Sequence, residues 1–276
     1  MSAELATDIT TTDITTIGTA PPAGRRVFDV TLPIGYTDSE GTVHRKVVLR
    51  KMTGKEEAIL ADRRFQKNGG RLVTELLHSC IVQLGELSPN GRSTVSNLYS
   101  ADRNYLLLKL RSVTFGSELE SSYTCPSCSE QLHVDEDLDD LPVTVVPEGE
   151  EQGDVLVELV DGYVDKEGNI HTALALRLPT GADEEAVASQ MRENPSLGKN
   201  ALLARCIRSL GEMPRHRLEA LGPRIMSDLT MTDRRLIDQA LNEAAPGVDL
   251  VRRQECPACG REFSASLDLS NFLALA

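Results

Sequence analysis

The sequence predicts an α+β fold made from one unit written twice, and three observations carry that reading. Residues 28–54 lie over residues 155–181 without a gap, with 12 of 27 positions identical, among them the pairs Gly35/Gly162, Tyr36/Tyr163, His44/His171 and Gly54/Gly181. "LLHSCIVQLGE" at 76–86 lies over "LLARCIRSLGE" at 202–212, with 7 of 11 identical. At one constant offset, Asp102-Arg103 falls on Asp233-Arg234, Gly116 on Gly247, CPSC at 125–128 on CPAC at 256–259, and Asp137-Leu138 on Asp268-Leu269. The expected architecture is a tandem duplication of a β-hairpin plus three-helix unit. Each copy ends in a CPxC zinc knuckle, and the two knuckles join in one zinc-ribbon-like site.

Within each copy the elements follow in order. Alternating runs ("FDVTLPI" and "VHRKVVLR"; "VLVELV" and "IHTALALR") flank "DSEG" or "DKEG", a turn sequence, and predict a β-hairpin. Thr53 and Thr180 then stand as caps before acid-rich helix starts. "GRLVTELLHSCIVQLGEL" and "GKNALLARCIRSLGEM" carry apolar residues at i, i+3, i+4 and i+7, which predicts amphipathic helices stopped by a glycine near the end. A third helix begins at Ser100 or Thr232 as cap. Extended segments surround each CPxC pair, and "DLDDLPV" or "DLSNFLAL" closes the copy with a short turn. The domain limits that follow are a flexible Thr-rich arm at 1–25, repeat 1 at 26–145, an acidic linker at 146–154 and repeat 2 at 155–276. A pseudo-two-fold axis is expected to relate the copies.

Composition narrows the function. The chain has 276 residues, 29 basic against 42 acidic, for a formal charge of -13. That charge repels nucleic acid and anionic membrane. Aromatics are 4% with no Trp, too few for base-stacking platforms. No apolar run approaches the roughly 18 residues of a membrane span, and the N-terminus lacks the pattern of a secretory signal, so a cytoplasmic protein without membrane insertion is expected. Six cysteines in that setting argue for reduced thiols or metal rather than disulfides.

A single CxxC pair is a weak signal, whereas two aligned pairs provide four thiolates, a common tetrahedral set for structural zinc. Cys125, Cys128, Cys256 and Cys259 are the candidate ligands of one Zn2+ per chain. Their spacing departs from an ordinary ribbon because almost a whole copy lies between the pairs. Unliganded thiols and a redox pair are the alternatives. Cys80 and Cys206 read as core residues on apolar helix faces. His44 and His171 read as strand-end polar contacts, Asp102-Arg103 and Asp233-Arg234 as a first-turn acid plus an ion pair, and His78 and His133 as residues without function. No G-x-S-x-G, H-E-x-x-H, G-x-G-x-x-G or P-loop pattern occurs, so no enzyme is expected.

The stretches "LVTELLHSCIVQLGEL", "SADRNYLLLKLRSVTFG", "YTCPSCSEQLHVDEDLDDLPV", "LRLPTGADEE" and "CPACGREFSASLDLSNFLAL" together resemble T-even-phage-type baseplate hub proteins and hub assembly chaperones, as found also in phage-tail-like contractile injection systems. The resemblance covers residues 28–275. It implies a non-enzymatic structural or assembly role, with hub, spike or wedge proteins as partners and incorporation in an assembled particle as one outcome. The competing class is a zinc-ribbon module that binds nucleic acid or the transcription and RNA-processing machinery. That class needs basic residues around the knuckles, and the first knuckle is instead followed by "DEDLDD".

Overall fold

In the computed structural model, residues 26–87 and 91–267 are described. The arm at 1–25 and the second closing turn lie outside them. The fold is α+β, with small antiparallel sheets and short helices in each half.

The first half opens on β1 (Val27–Thr37) and β2 (Val43–Arg50), the hairpin read from alternation. Their register slips between Thr31 and Tyr36, where Gly35 adopts φ 103°. A buried carboxylate pins this bulge: Ile34 and Gly35 each donate a backbone N–H to Asp102, both at 2.8 Å. Across the turn His44 Nε2 meets Asp38 Oδ2 at 2.8 Å, the strand-end contact read for it. Next, α1 (Gly54–Ala61) starts on a capping box, with Thr53 and Glu56 satisfying each other's backbone N–H groups. The chain then turns through α2 (Arg63–Gln66) into α3 (Gly69–Cys80) and β3 (Ile81–Leu84), which pairs with β2. The expected single helix is thus a 12-residue helix continued by a four-residue strand. Leu77, Ile81 and Leu84 satisfy helical spacing, but the open edge of β2 and the β-branched Ile81-Val82 pair favour extension, and all three residues remain buried.

After α4 (Arg92–Ser96), which the sequence reading missed, comes α5 (Ser100–Phe115). Its cap position is Tyr99, not Ser100. The hairpin β4 (Glu118–Thr124) and β5 (Gln131–Asp137) and the two-residue β6 (Val143–Thr144) complete the half.

The second half repeats the order of hairpin, helices, short strand and helices, without a counterpart of α2 and with its two-residue strand before the last hairpin instead of after it. β7 (Val155–Val164) and β8 (Ile170–Leu176) carry the same slip, with Val160, Asp161 and Gly162 donating to Asp233. His171 meets Asp165 at 3.2 Å. α6 (Gly181–Glu193), α7 (Pro195–Cys206) and β9 (Ile207–Leu210) follow, and again the predicted helix ends at its cysteine and continues as a strand. The missed α8 (Arg215–Asp228) precedes α9 (Met231–Ala244), whose cap is Thr230 rather than Thr232. β10 (Gly247–Val248) pairs with β6, and β11 (Val251–Glu255) pairs with β12 (Glu262–Ser266). Each half therefore holds more helices than the three expected, because the 3.6 period of short, mostly polar segments is weak. No described helix is long and apolar enough to cross a membrane.

The halves interlock. Ile34 and Val146 are buried in the apolar core of the second half, against which Tyr99 and Ala101 also pack. Val146 donates to Pro33 O at 2.9 Å, and Arg45 reaches the carbonyls of Val146, Pro147 and Glu150, so the start of the segment between halves is fastened to the first hairpin. Backbone bonds cross directly: Ser100 N to Pro179 O at 2.9 Å and Gly181 N to Leu98 O at 3.1 Å. Beside them the buried Arg103 donates to Thr74 Oγ1, Val95 O and Gly70 O and lies 3.6 Å from Glu184. Glu185 takes Arg92 at 2.8 Å and the Thr74 hydroxyl at 2.5 Å.

This packing corrects the expected two-fold relation. Helix α6 packs on α3, α4 and α5, whereas no comparable packing of α1 on α7, α8 or α9 occurs among the described residues. One surface of the first half meets a different surface of the second, which is a head-to-tail arrangement.

Gly181 sits against the Arg103 guanidinium, where an added Cβ would fall 2.1 Å from Nη1. Arg103 is 1% exposed and tied by three acceptors, so it has little freedom to withdraw. Gly181→Ala is expected to cost about 1–3 kcal/mol, measured as a lower denaturant midpoint at unchanged slope.

Glu56 gives a pH signature. Burial opposes its ionised form, yet hydrogen bonds from Arg50, Ser79 and Thr53 outweigh that and lower its pKa from 4.5 to about 2. A depressed folded-state value makes this stabilisation complete above about 4.5 and lost as the pH falls towards about 2. In acid unfolding followed by circular dichroism, Glu56→Gln should be less stable than the parent at neutral pH and should show a shallower decline across that window.

Candidate metal centre

Each CPxC pair occupies the turn of a hairpin. Thr124 pairs with Gln131 and Glu255 with Glu262, so the cysteines sit just beyond paired strands. Both turns close the same way. Cys125 N donates to Glu130 O and Ser129 N to Cys125 O, at 2.8 and 2.9 Å; Cys256 N donates to Arg261 O and Gly260 N to Cys256 O, at 3.0 and 2.8 Å. Left-handed backbone closes each turn, Ser129 at φ 64° and Gly260 at φ 69°. The tight turn directs both thiols of a pair to one side, with Cys125 and Cys256 buried and Cys128 and Cys259 exposed.

The tertiary fold brings the pairs together. All four Sγ atoms lie within 4.8 Å of one another. Cys125 Sγ is 3.8 Å from Cys259 Sγ, and Cys128 Sγ is 3.5 Å from Cys256 Sγ. Each contact joins the first cysteine of one pair to the second of the other, so the cluster itself has the local two-fold relation that the helical bodies lack. Four sulfurs around one ion at about 2.3 Å stand about 3.8 Å apart, and the observed separations fit that tetrahedron. Disulfide bonds near 2.05 Å would be far shorter.

The thiols influence each other's protons. The Cys128 backbone N–H brings Cys125 down to about 7, with the Ser127 N–H, at 3.4 Å from Sγ, adding to it. The Glu130 N–H also acts to lower Cys128, but hydrogen bonding to the neighbouring thiols and burial together push it up to about 12. Four thiols are crowded at one centre. A cation at the centre would relieve the crowding.

Glu136, which the sequence reading treated only as part of an acidic run, holds the two hairpins side by side. Its buried carboxylate accepts from Tyr123 at 3.0 Å, from Arg252 at 3.1 Å and from Gln254 at 3.3 Å. An acid at the inward-facing alternation of β5, where Leu132 and Val134 precede it, was the only available signal. The second knuckle packs into the core of the first half: Cys256 and Leu267 are buried there, with Phe263, Leu250 and Val248 against them.

The remaining candidates are placed elsewhere. Cys80 and Cys206 are buried at the ends of α3 and α7, where desolvation raises each thiol to about 12, consistent with packing. Asp102 and Asp233 brace the hairpin bulges instead of pairing with their neighbouring arginines. His133 is exposed in β5 beside Ser122, and His78 lies in α3 away from the cluster.

Taken together, the described residues form an α+β protein whose CPxC hairpins, distant in sequence, meet in one four-thiol cluster able to hold a metal ion. The family model for the T4 bacteriophage base plate protein matches residues 26–274, nearly the whole chain, and the chain belongs to that family. Neither a curated protein nor a solved structure matches it.

Proposed function

We propose that the protein is a non-enzymatic structural or assembly component of the baseplate of a contractile phage tail or tail-like injection system, and that Cys125, Cys128, Cys256 and Cys259 hold one structural zinc. The family match over residues 26–274 carries the first part, and the tetrahedral spacing of four sulfurs carries the second. Four thiolates leave a zinc ion no open position for water, so the metal would brace the fold rather than activate a substrate. It would lock the second knuckle onto the core of the first half and make the two lobes one rigid body. The halves are best read as two descendants of one unit, given the matching order from hairpin to last long helix, apart from α2, and the matching bulges and turns.

Binding of partner proteins is the activity this surface suits. The charge around the cluster does not favour phosphate: Arg252 is engaged by Glu136, and the exposed Arg253 and Arg261 are outnumbered by Glu130, Asp135, Glu255 and Glu262 on the same hairpins. Hub, spike or wedge proteins are the proposed partners, and the segment at 1–25 adds a further contact. The protein acts in the cytoplasm during assembly, with retention in the particle or release afterwards as the two routes.

Elemental analysis of purified protein is expected to give one zinc per chain, falling well below one in Cys256→Ser and in Cys128→Ser; no zinc, or two per chain, refutes the site. For the function, deleting the gene should sharply reduce contraction-competent particles counted by negative-stain microscopy, with wild-type yield restored by the intact gene. Normal particle numbers without it refute the baseplate role, whatever the zinc content.

A further inference from the structure

A head-to-tail contact between two similar bodies uses each of its two surfaces once and leaves each of them open once. Within this chain the used pair is the edge Leu98–Ala101 with Arg103, from the first half, against Pro179–Gly181 with Glu184, from the second. The matching open surfaces are Leu229–Thr232 with Arg234, at the start of α9, and Met52–Gly54 with Glu57, at the start of α1.

Both open surfaces carry the features of the filled ones. Gly54 occupies the place of Gly181, yet where Gly181 meets a guanidinium, a Cβ on Gly54 would have nothing within 4 Å among the described residues. Arg234 donates to Asn200 and to Met226 O much as Arg103 donates to Thr74 and Val95 O, but it is only half-buried because no second body covers it. The N–H groups of Gly54 and Met231 have no hydrogen-bond partner among the described residues, whereas those of Gly181 and Ser100 bond across the halves. At the second half's open surface Met231 is 80% exposed and the neighbouring Val160 69%; their counterparts in the first half are Ser100 and Pro33, which are taken by Pro179 and Val146. Two of the strongly exposed apolar side chains thus lie at the open counterpart of the surface that the internal contact covers.

We propose that a second copy of this chain docks head to tail, its Met52–Gly54 edge and the first turn of α1 lying against Leu229–Thr232 of the first copy. Met231 N–H then donates to the Met52 carbonyl and Gly54 N–H to the Leu229 carbonyl, repeating the bonds of Ser100 to Pro179 and Gly181 to Leu98. Glu57 stands towards Arg234 as Glu184 stands towards Arg103. Repeating one such operation gives a ring if the rotation closes and an open row if it does not. The internal contact is the template for this surface, so the inference stands apart from the baseplate role.

The test uses two full-length variants and sedimentation velocity over a range of concentrations. Gly54→Arg fills the open space on one surface without a clash inside the chain, and Met231→Asp places a charge at an exposed helix start that tolerates acids. Circular dichroism melts confirm that each variant is folded. The parent is expected to associate with rising concentration, each variant alone to stay monomeric, and an equimolar mixture to form a one-to-one dimer and nothing larger, because each variant supplies the surface the other lacks. A parent that is monomeric at every concentration overturns the proposal. So does association that survives either substitution alone, or a mixture that remains monomeric.

Discussion

A buried carboxylate that fixes a backbone bulge is the constraint from which the rest of this structure follows. Asp102 is fully buried and takes the N–H groups of Ile34 and Gly35, and Asp233 does the same for Val160, Asp161 and Gly162. Each tie runs from the first turn of a helix to the slip point of a hairpin, 67–68 residues away in the first half and 71–73 in the second, so it sets how the helical layer lies on the sheet. Burial raises Asp102 to about 6, while its two N–H donors favour the charged form and partly offset that cost. Breaking either side would strand unpaired polar groups in the core, about 1–3 kcal/mol each.

At this bulge Ile34 is buried in the core of the second half, whereas Val30 and Leu32, earlier on the same strand, belong to the core of the first. Val146 joins it there, and in the other direction Cys256 and Leu267 enter the core of the first half. Each core is therefore incomplete without residues from the other half. Physically this favours one cooperative unit over two independent beads, because the free energy of either core depends on contacts the other supplies. The Arg103 guanidinium under Gly181 is the tightest point of that union.

The thiol cluster lies at the far end of the same logic. Two hairpins that differ in half of origin are aligned by Glu136, and only then do Cys125, Cys128, Cys256 and Cys259 point at a common centre. The local two-fold relation of the sulfurs coexists with head-to-tail packing of the bodies; each knuckle hairpin follows its last helix through a connection without helix, residues 116–117 in one half and 245–250, which include β10, in the other.

Local chemistry was legible in the sequence. Alternation with a D-x-E-G turn gave both hairpins, Thr53 and Thr180 with an acid three residues on gave two helix starts, and the aligned CPxC pairs singled out the four cysteines that converge. Those features depend on neighbours within a few residues, where propensity and side-chain reach decide the outcome. What failed depended on partners far away. Ile81–Leu84 and Ile207–Leu210 fit a helical period, and only the open edges of β2 and β8 made them strands. Asp102 and Arg103 read as a first-turn acid plus an ion pair and Glu136 only as part of an acidic run, since nothing in a one-dimensional pattern marks an ion whose acceptors and donors come from other elements. The relation between the halves was likewise undetermined: two similar bodies can meet face to same face or face to different face, and similarity of sequence is silent on that choice. Residues where the copies differ made it, Ile34 apolar against Asp161 and Tyr99 against Thr230, because burial of those side chains rewards only the head-to-tail contact.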